Sequence, residues 1–109
     1  MIKDMTRPRI TIPDEALAAF CRRWKIGELA FFGSVLRADF GPKSDVDVLA
    51  RFVVDANWSL FDHLHMEEEL AQLLGRKVDI VDRRVIENSE NWIRRRAILE
   101  SAQSYYVAR

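Results

Sequence analysis

The sequence holds a single cysteine, Cys21, in 109 residues, which excludes an intramolecular disulfide and any zinc site built on cysteine pairs. Its N-terminus also lacks a continuous apolar stretch. Its first ten residues, MIKDMTRPRI, mix charges with isolated apolar side chains, unlike a signal peptide or a membrane span, so a cytoplasmic location without membrane contact is expected. Net charge is absent too: 17 basic and 17 acidic residues cancel. No global field then attracts nucleic acid, and direct nucleic-acid binding is not expected. The one basic run, Arg94-Arg95-Arg96, is spread by helical geometry around more than half the circumference and reads as a solvated face. Repeats and low-complexity segments are missing. What remains, a chain 49% apolar and 31% charged, predicts a single domain over residues 1–109 with a small core, residues 1–10 forming a flexible lead or an added edge.

Local patterns order that domain. Thr11 or Ile12 followed by Pro13, Asp14 and Glu15 marks a helix start, because proline fits the first turn and carboxylates suit the positive end of the helix dipole. Leu17, Phe20, Cys21 and Trp24 recur at helical spacing, and Gly27 reads as the stop. Cys21 falls on the apolar side and is expected to be buried. Glu28 to Phe32 predicts a strand, residues 38–44 a loop, and residues 45–54 a second strand. Ser59 with Asp62 resembles a capping box, opening a helix that ends at Leu74 before Gly75. On it, His63 falls in the apolar stripe and His65 outside. Two residues apart, they point about 200° away from each other and cannot share a metal ion. Glu67-Glu68-Glu69 reads mostly as its wet face. Val78 to Asp82 predicts a third strand, and Asn91 or Ser89 caps a last helix. The expected fold class is α/β (α+β), a small mixed β-sheet with helices packed on one side.

Chemistry concentrates between Phe31 and Phe52. Val46, Val48, Ala50 and Phe52 alternate with Asp45, Asp47, Leu49 and Arg51, so a strand puts both carboxylates on one face. Same-face neighbours lie about 6.5–7 Å apart along a strand, within reach of a pair of ions about 3.5–4 Å apart. Magnesium takes such oxygen ligands and completes its shell with water and substrate phosphates. Gly33-Ser34 follows the first strand directly. Glycine permits a sharp turn and close approach of a ligand, Ser34 adds a hydroxyl, and a short helix over Val35 to Arg37 would aim free N–H groups at an anion. In Val78 to Asp82, Asp79 has the parity that brings it beside Asp45 and Asp47 on an adjacent strand.

The combination of Gly33-Ser34, Arg37, Ser44-Asp45-x-Asp47, Gly75-Arg76-Lys77-Val78-Asp79-Ile80-Val81, Ile98-Leu99 and Tyr105-Tyr106 resembles the nucleotidyltransferase superfamily typified by DNA polymerase beta. Within it, the chain resembles the minimal nucleotidyltransferases that are the antitoxin half of HEPN-MNT toxin-antitoxin pairs. The resemblance spans about residues 13–107. It implies the nucleotidyltransferase fold, with the site open on the sheet's other face. It further implies Asp45, Asp47 and Asp79 as catalytic and metal-binding residues, two Mg2+ ions, and ATP as the nucleoside triphosphate substrate. Gly33, Ser34, Arg37 and Ser44 become nucleotide-binding. The implied reaction is transfer of AMP to a tyrosine of a partner HEPN toxin. Two other readings stand beside it: an antitoxin that neutralises by binding only, and an enzyme modifying a small molecule such as an aminoglycoside. The second lacks a domain to grip the sugar.

One residue departs from the family pattern. Relatives carry Arg-Gly after Gly-Ser-x-x, whereas this chain has Arg37-Ala38; if that position needs positive φ, alanine strains the loop. Trp24, Trp58, Trp92, Tyr105 and Tyr106 exceed what a small core obviously absorbs. Aromatics are enriched at interfaces, so a homodimer or a partner complex through the last helix and tail is expected.

Overall fold

The computed structural model describes residues 10–108, so the expected lead over residues 1–10 lies almost wholly outside the described residues. The order is α1 (Asp14–Arg23), β1 (Ile26–Phe32), a 3-10 turn (Gly33–Leu36), β2 (Val46–Phe52), α2 (Leu60–Leu74), β3 (Val78–Asp82), α3 (Arg83–Glu87), α4 (Trp92–Ser101) and β4 (Gln103–Val107). The four strands form one sheet in the order β3-β2-β1-β4. β1 runs antiparallel to β2 and β4, while β2 and β3 are parallel. The mixed sheet is therefore as expected, and α2 is the crossover that parallel neighbours need. Among the described residues no helix is long and apolar enough to cross a membrane.

Strand alternation divides the core into two faces. Leu29, Phe31, Val46, Val48, Ala50, Val78 and Ile80 meet Leu17, Phe20 and Cys21 of α1 and Met66, Leu70 and Leu74 of α2. Burial pushes the Cys21 thiol up to about 12 against a slight pull from Arg22, so it stays a protonated packing group. On the opposite face Ala30, Phe32 and Leu49 pack under Ile86 of α3 and Ile98 of α4. The expectation of helices on one side thus holds for α1 and α2. α3 and α4 add a partial second layer, because Leu49 and Phe32 are apolar residues that water would otherwise reach.

Caps and stops explain the boundaries. Ser59 and Asp62 form the capping box, and Gly75 ends α2 at φ +68°. The Asn91 side chain accepts from the Arg94 N–H and starts α4. Gly27 does not stop α1. That helix ends at Arg23, Lys25 takes the left-handed turn at φ +56°, and Gly27 lies inside β1 beneath the Arg51 guanidinium. A side chain at Gly27 would meet that guanidinium, its Cβ 2.8 Å from a terminal nitrogen.

The strand β4 was not expected, because QSYYV is short and follows a helix with no turn signal between them. A register shift between Leu29 and Ala30 lets Tyr105 and Tyr106 both pack against the first core. Such an irregularity redirects side chains. Tyr105 stands edge-on to Phe31, 5.6 Å between centroids, and its hydroxyl donates to Asp14 at 2.7 Å. Trp24 and Trp58 pack on one another at 5.1 Å. The surplus of aromatics is thus mostly absorbed within the fold; Trp92, 58% exposed, stays on the surface beside the exposed Ile93.

α2 carries a second unexpected contact. β3 is an edge strand, and the outward N–H of Ile80 donates to Glu67 at 2.8 Å. His63 lies 3.4 Å from the same carboxylate. Glu67 is therefore not part of the wet face, although Glu68 is. His63 is half-buried and His65 exposed, as their positions on the helix predict. In the basic run, Arg95 donates to the Ser89 carbonyl and Arg96 to Glu100.

Candidate active site

Asp45, Asp47 and Asp79 come together where the second helical layer stops. Asp47 pairs in register with Asp79 across the parallel strands, and Leu49 pairs with Val81 two steps further on. Side chains alternate along strands, so Asp47, Leu49, Asp79 and Val81 share one face. α3 and α4 cover Leu49 and leave Asp47 half-buried and Asp79 and Asp45 exposed. Neighbouring strands are about 4.8 Å apart, which makes Asp47 and Asp79 direct neighbours. Burial, followed by the charges of Asp79 and then Asp45, raises the pKa of Asp47, and Arg37 offsets part of that rise.

The Gly33–Leu36 turn approaches from the other side. Phe32 is the register partner of Asp47, so the residue after it leaves the sheet next to that carboxylate. Gly33 sits at φ +76°, and a β-carbon there would lie 2.6 Å from Asp47 Oδ2. Only glycine satisfies both conditions. The Ser34 hydroxyl donates to the Asp45 carbonyl at 3.4 Å, tying the turn to the start of β2. The turn is a single 3-10 turn, whose first N–H groups have no partner within it.

The candidate loop residues make local contacts. Arg37 donates to Asp39 at 3.1 Å while exposed, and its charge still reaches Asp47. The Ser44 hydroxyl accepts from the Gly41 N–H at 3.1 Å and so closes the loop. Ala38 is not strained: Lys25 is the only non-glycine residue with positive φ among the described residues. Arg76, present in the motif but given no role there, donates to the carbonyls of Gly41 and Ser44. Nothing local in the sequence signals that contact, because its partners are more than thirty positions away.

Among the described residues no three His, Cys, Asp or Glu groups close around a metal on their own. The donor chemistry nevertheless fits Mg2+, which keeps several waters and substrate oxygens and is typically held by one or two carboxylates. Clustered carboxylates, one with its pKa raised by burial and then by its neighbours' charges, make a site that a cation would relieve.

Comparison with known proteins adds an independent line. A family model described as "Nucleotidyltransferase domain" matches residues 13–105. The "Putative protein adenylyltransferase MJ0128" of Methanocaldococcus jannaschii is 34% identical over 87 residues, 80% of each chain. "Protein adenylyltransferase MntA" of Thermococcus cleftensis is 39% identical over 59 residues, 54% of this chain and 58% of that one. A solved structure described as "Crystal structure of the toxin-antitoxin with AMP-PNP" superposes with a TM-score of 0.67 at 17% identity, covering 90% of this chain and 76% of that one; at that identity it establishes the fold.

Proposed function

Because the chain belongs to the nucleotidyltransferase domain family, we propose that it acts as the antitoxin of a toxin-antitoxin pair. In that role it transfers AMP from ATP to a tyrosine hydroxyl of a partner HEPN ribonuclease. The observation that carries the reading is the registered pair Asp47 and Asp79, with Asp45 one residue before β2 and the Gly33 turn against Asp47.

In this reading the acceptor oxygen attacks the α-phosphorus, the bond to the β-phosphate oxygen breaks, and pyrophosphate leaves in line. The proton of the hydroxyl passes to Asp79, an exposed carboxylate in register with Asp47. Asp45, Asp47 and Asp79 would hold Mg2+, two ions in all, which when bound neutralise phosphate charge and make the hydroxyl a better nucleophile. Gly33 lets the triphosphate approach the backbone. The turn's free N–H groups and the Ser34 hydroxyl bind its β and γ phosphates, and Arg37 balances their charge.

The donor and the class of acceptor rest on the relatives' names, both protein adenylyltransferases. A chain this small has little left to grip an acceptor, so the acceptor brings its own surface. A folded protein does that better than a small sugar. Trp92 and Ile93, exposed at the start of α4, offer apolar area for such a partner. An AMP added near a ribonuclease site places an anion where RNA phosphates must lie. The test is intact-mass measurement of the toxin after incubation with this protein, ATP and magnesium. Added AMP on tyrosine is expected; an inhibited toxin of unchanged mass would establish neutralisation by binding instead.

A further inference from the structure

We propose that Arg76 is a positioning residue for the triphosphate site: it holds the loop over residues 38–44 and, through it, the backbone that delivers Asp45. The proposal rests on the nucleotide-transfer reading above.

The loop joins the Gly33–Leu36 turn to β2 and is half-exposed or exposed along its length. Phe40 packs against the core and the Gly41–Ser44 hydrogen bonds close the loop on itself. Arg76 supplies three attachments from outside. One terminal nitrogen of its guanidinium donates to the Gly41 carbonyl at 2.8 Å and to the Ser44 carbonyl at 3.2 Å. The guanidinium also lies over the Phe40 ring, 4.4 Å from its centroid, a separation at which a cation is attracted to the ring face.

The base of this clasp is itself rigid. Arg76 follows the left-handed stop at Gly75, its own N–H donates to the Ala71 carbonyl, and the next residue, Lys77, accepts from the Val46 N–H at 2.8 Å. Two consecutive carbonyls are therefore held, Ser44 by Arg76 and Asp45 by the Ser34 hydroxyl. The peptide between them leads directly into β2, the strand bearing Asp47. Among the described residues Arg76 forms no ion pair, so its polar contacts are directed at the loop backbone. Lysine can donate to the carbonyls but cannot stack a planar group on Phe40.

The experiment compares wild type, Arg76→Lys and Arg76→Ala by amide hydrogen exchange, by calorimetric titration with ATP in magnesium, and by steady-state kinetics. Arg76→Ala should speed exchange at residues 41–45 while α2 and β1 keep wild-type protection. It should also raise Kd and KM for ATP about tenfold, the scale of a charged hydrogen bond, with kcat changed far less. Arg76→Lys should fall between. Unchanged exchange in the loop, or exchange raised equally across the whole chain, would overturn the proposal, as would a loosened loop with unaltered Kd. If wild type itself binds no ATP, the transfer reading fails. Loop exchange in Arg76→Ala still decides whether Arg76 holds that segment.

Discussion

Gly33 and Asp47 exclude any side chain between them: a β-carbon on the glycine would lie 2.6 Å from the carboxylate's Oδ2, and the glycine's φ of +76° is one that other residues rarely adopt. The turn and the carboxylate strand are thus in direct contact. Gly33→Ala should reduce nucleotide transfer at least a hundredfold by displacing Asp47, on the scale of a misplaced catalytic group. Gly75→Ala is the matched control, since φ there is +68° with open space around it. It should cost about 1 kcal/mol of stability and lower transfer far less than Gly33→Ala does. Equal activities in the two variants would contradict the contact.

Each of Asp45→Asn, Asp47→Asn and Asp79→Asn should lower transfer at least about a hundredfold while the far-ultraviolet spectrum stays that of wild type. Excess chelator acting on the wild-type protein should reproduce the loss. Full activity in any of the three variants would remove that carboxylate from the mechanism.

Asp47 gives a pH dependence whose sign follows from its surroundings. Its folded pKa is raised, first by burial and then by Asp79 and Asp45, so the folded state binds its proton more tightly than the unfolded chain. This contribution to stability is full below the ordinary carboxylate pKa and is lost as pH rises through the elevated value. Without metal, Asp47→Asn should therefore raise the melting temperature at pH 7 by roughly a few degrees. That gain should shrink on acidification through the carboxylate range. Metal-free melting curves at several pH values provide the check, and a gain that grows towards acid would refute it.

Glu67 closes an outward N–H of the edge strand that carries Asp79, at Ile80. Glu67→Ala should cost about 1.5 kcal/mol, the range for a hydrogen bond to a charged acceptor, read as a shift of the urea midpoint with the slope unchanged. An unshifted midpoint would show that water substitutes fully at this edge.

Some of this was present in local pattern. The stop at Gly75, the capping box at Ser59 and the parity of Asp79 all depend on residues a few positions apart, and the structure has each of them; Asp45, expected as the first residue of the second strand, lies one residue before β2. Gly27 misled for the same reason. A glycine after an apolar helix resembles a stop, whereas here it makes room for Arg51 from the neighbouring strand. β4 had no turn signal to announce it, and its pairing with β1 spans some seventy-five positions.

The sequence by itself determined which groups this protein has for chemistry and which face of each strand bears them, because side-chain direction in a strand follows from a period of two. Tertiary structure alone decided their company. The register of β2 against β3 sets Asp47 beside Asp79, the approach of the turn makes Gly33 irreplaceable, and Arg76 reaches the loop from across the fold. These contacts join distant positions through the packing of a shared core, and no local period encodes which distant residues that packing will bring together.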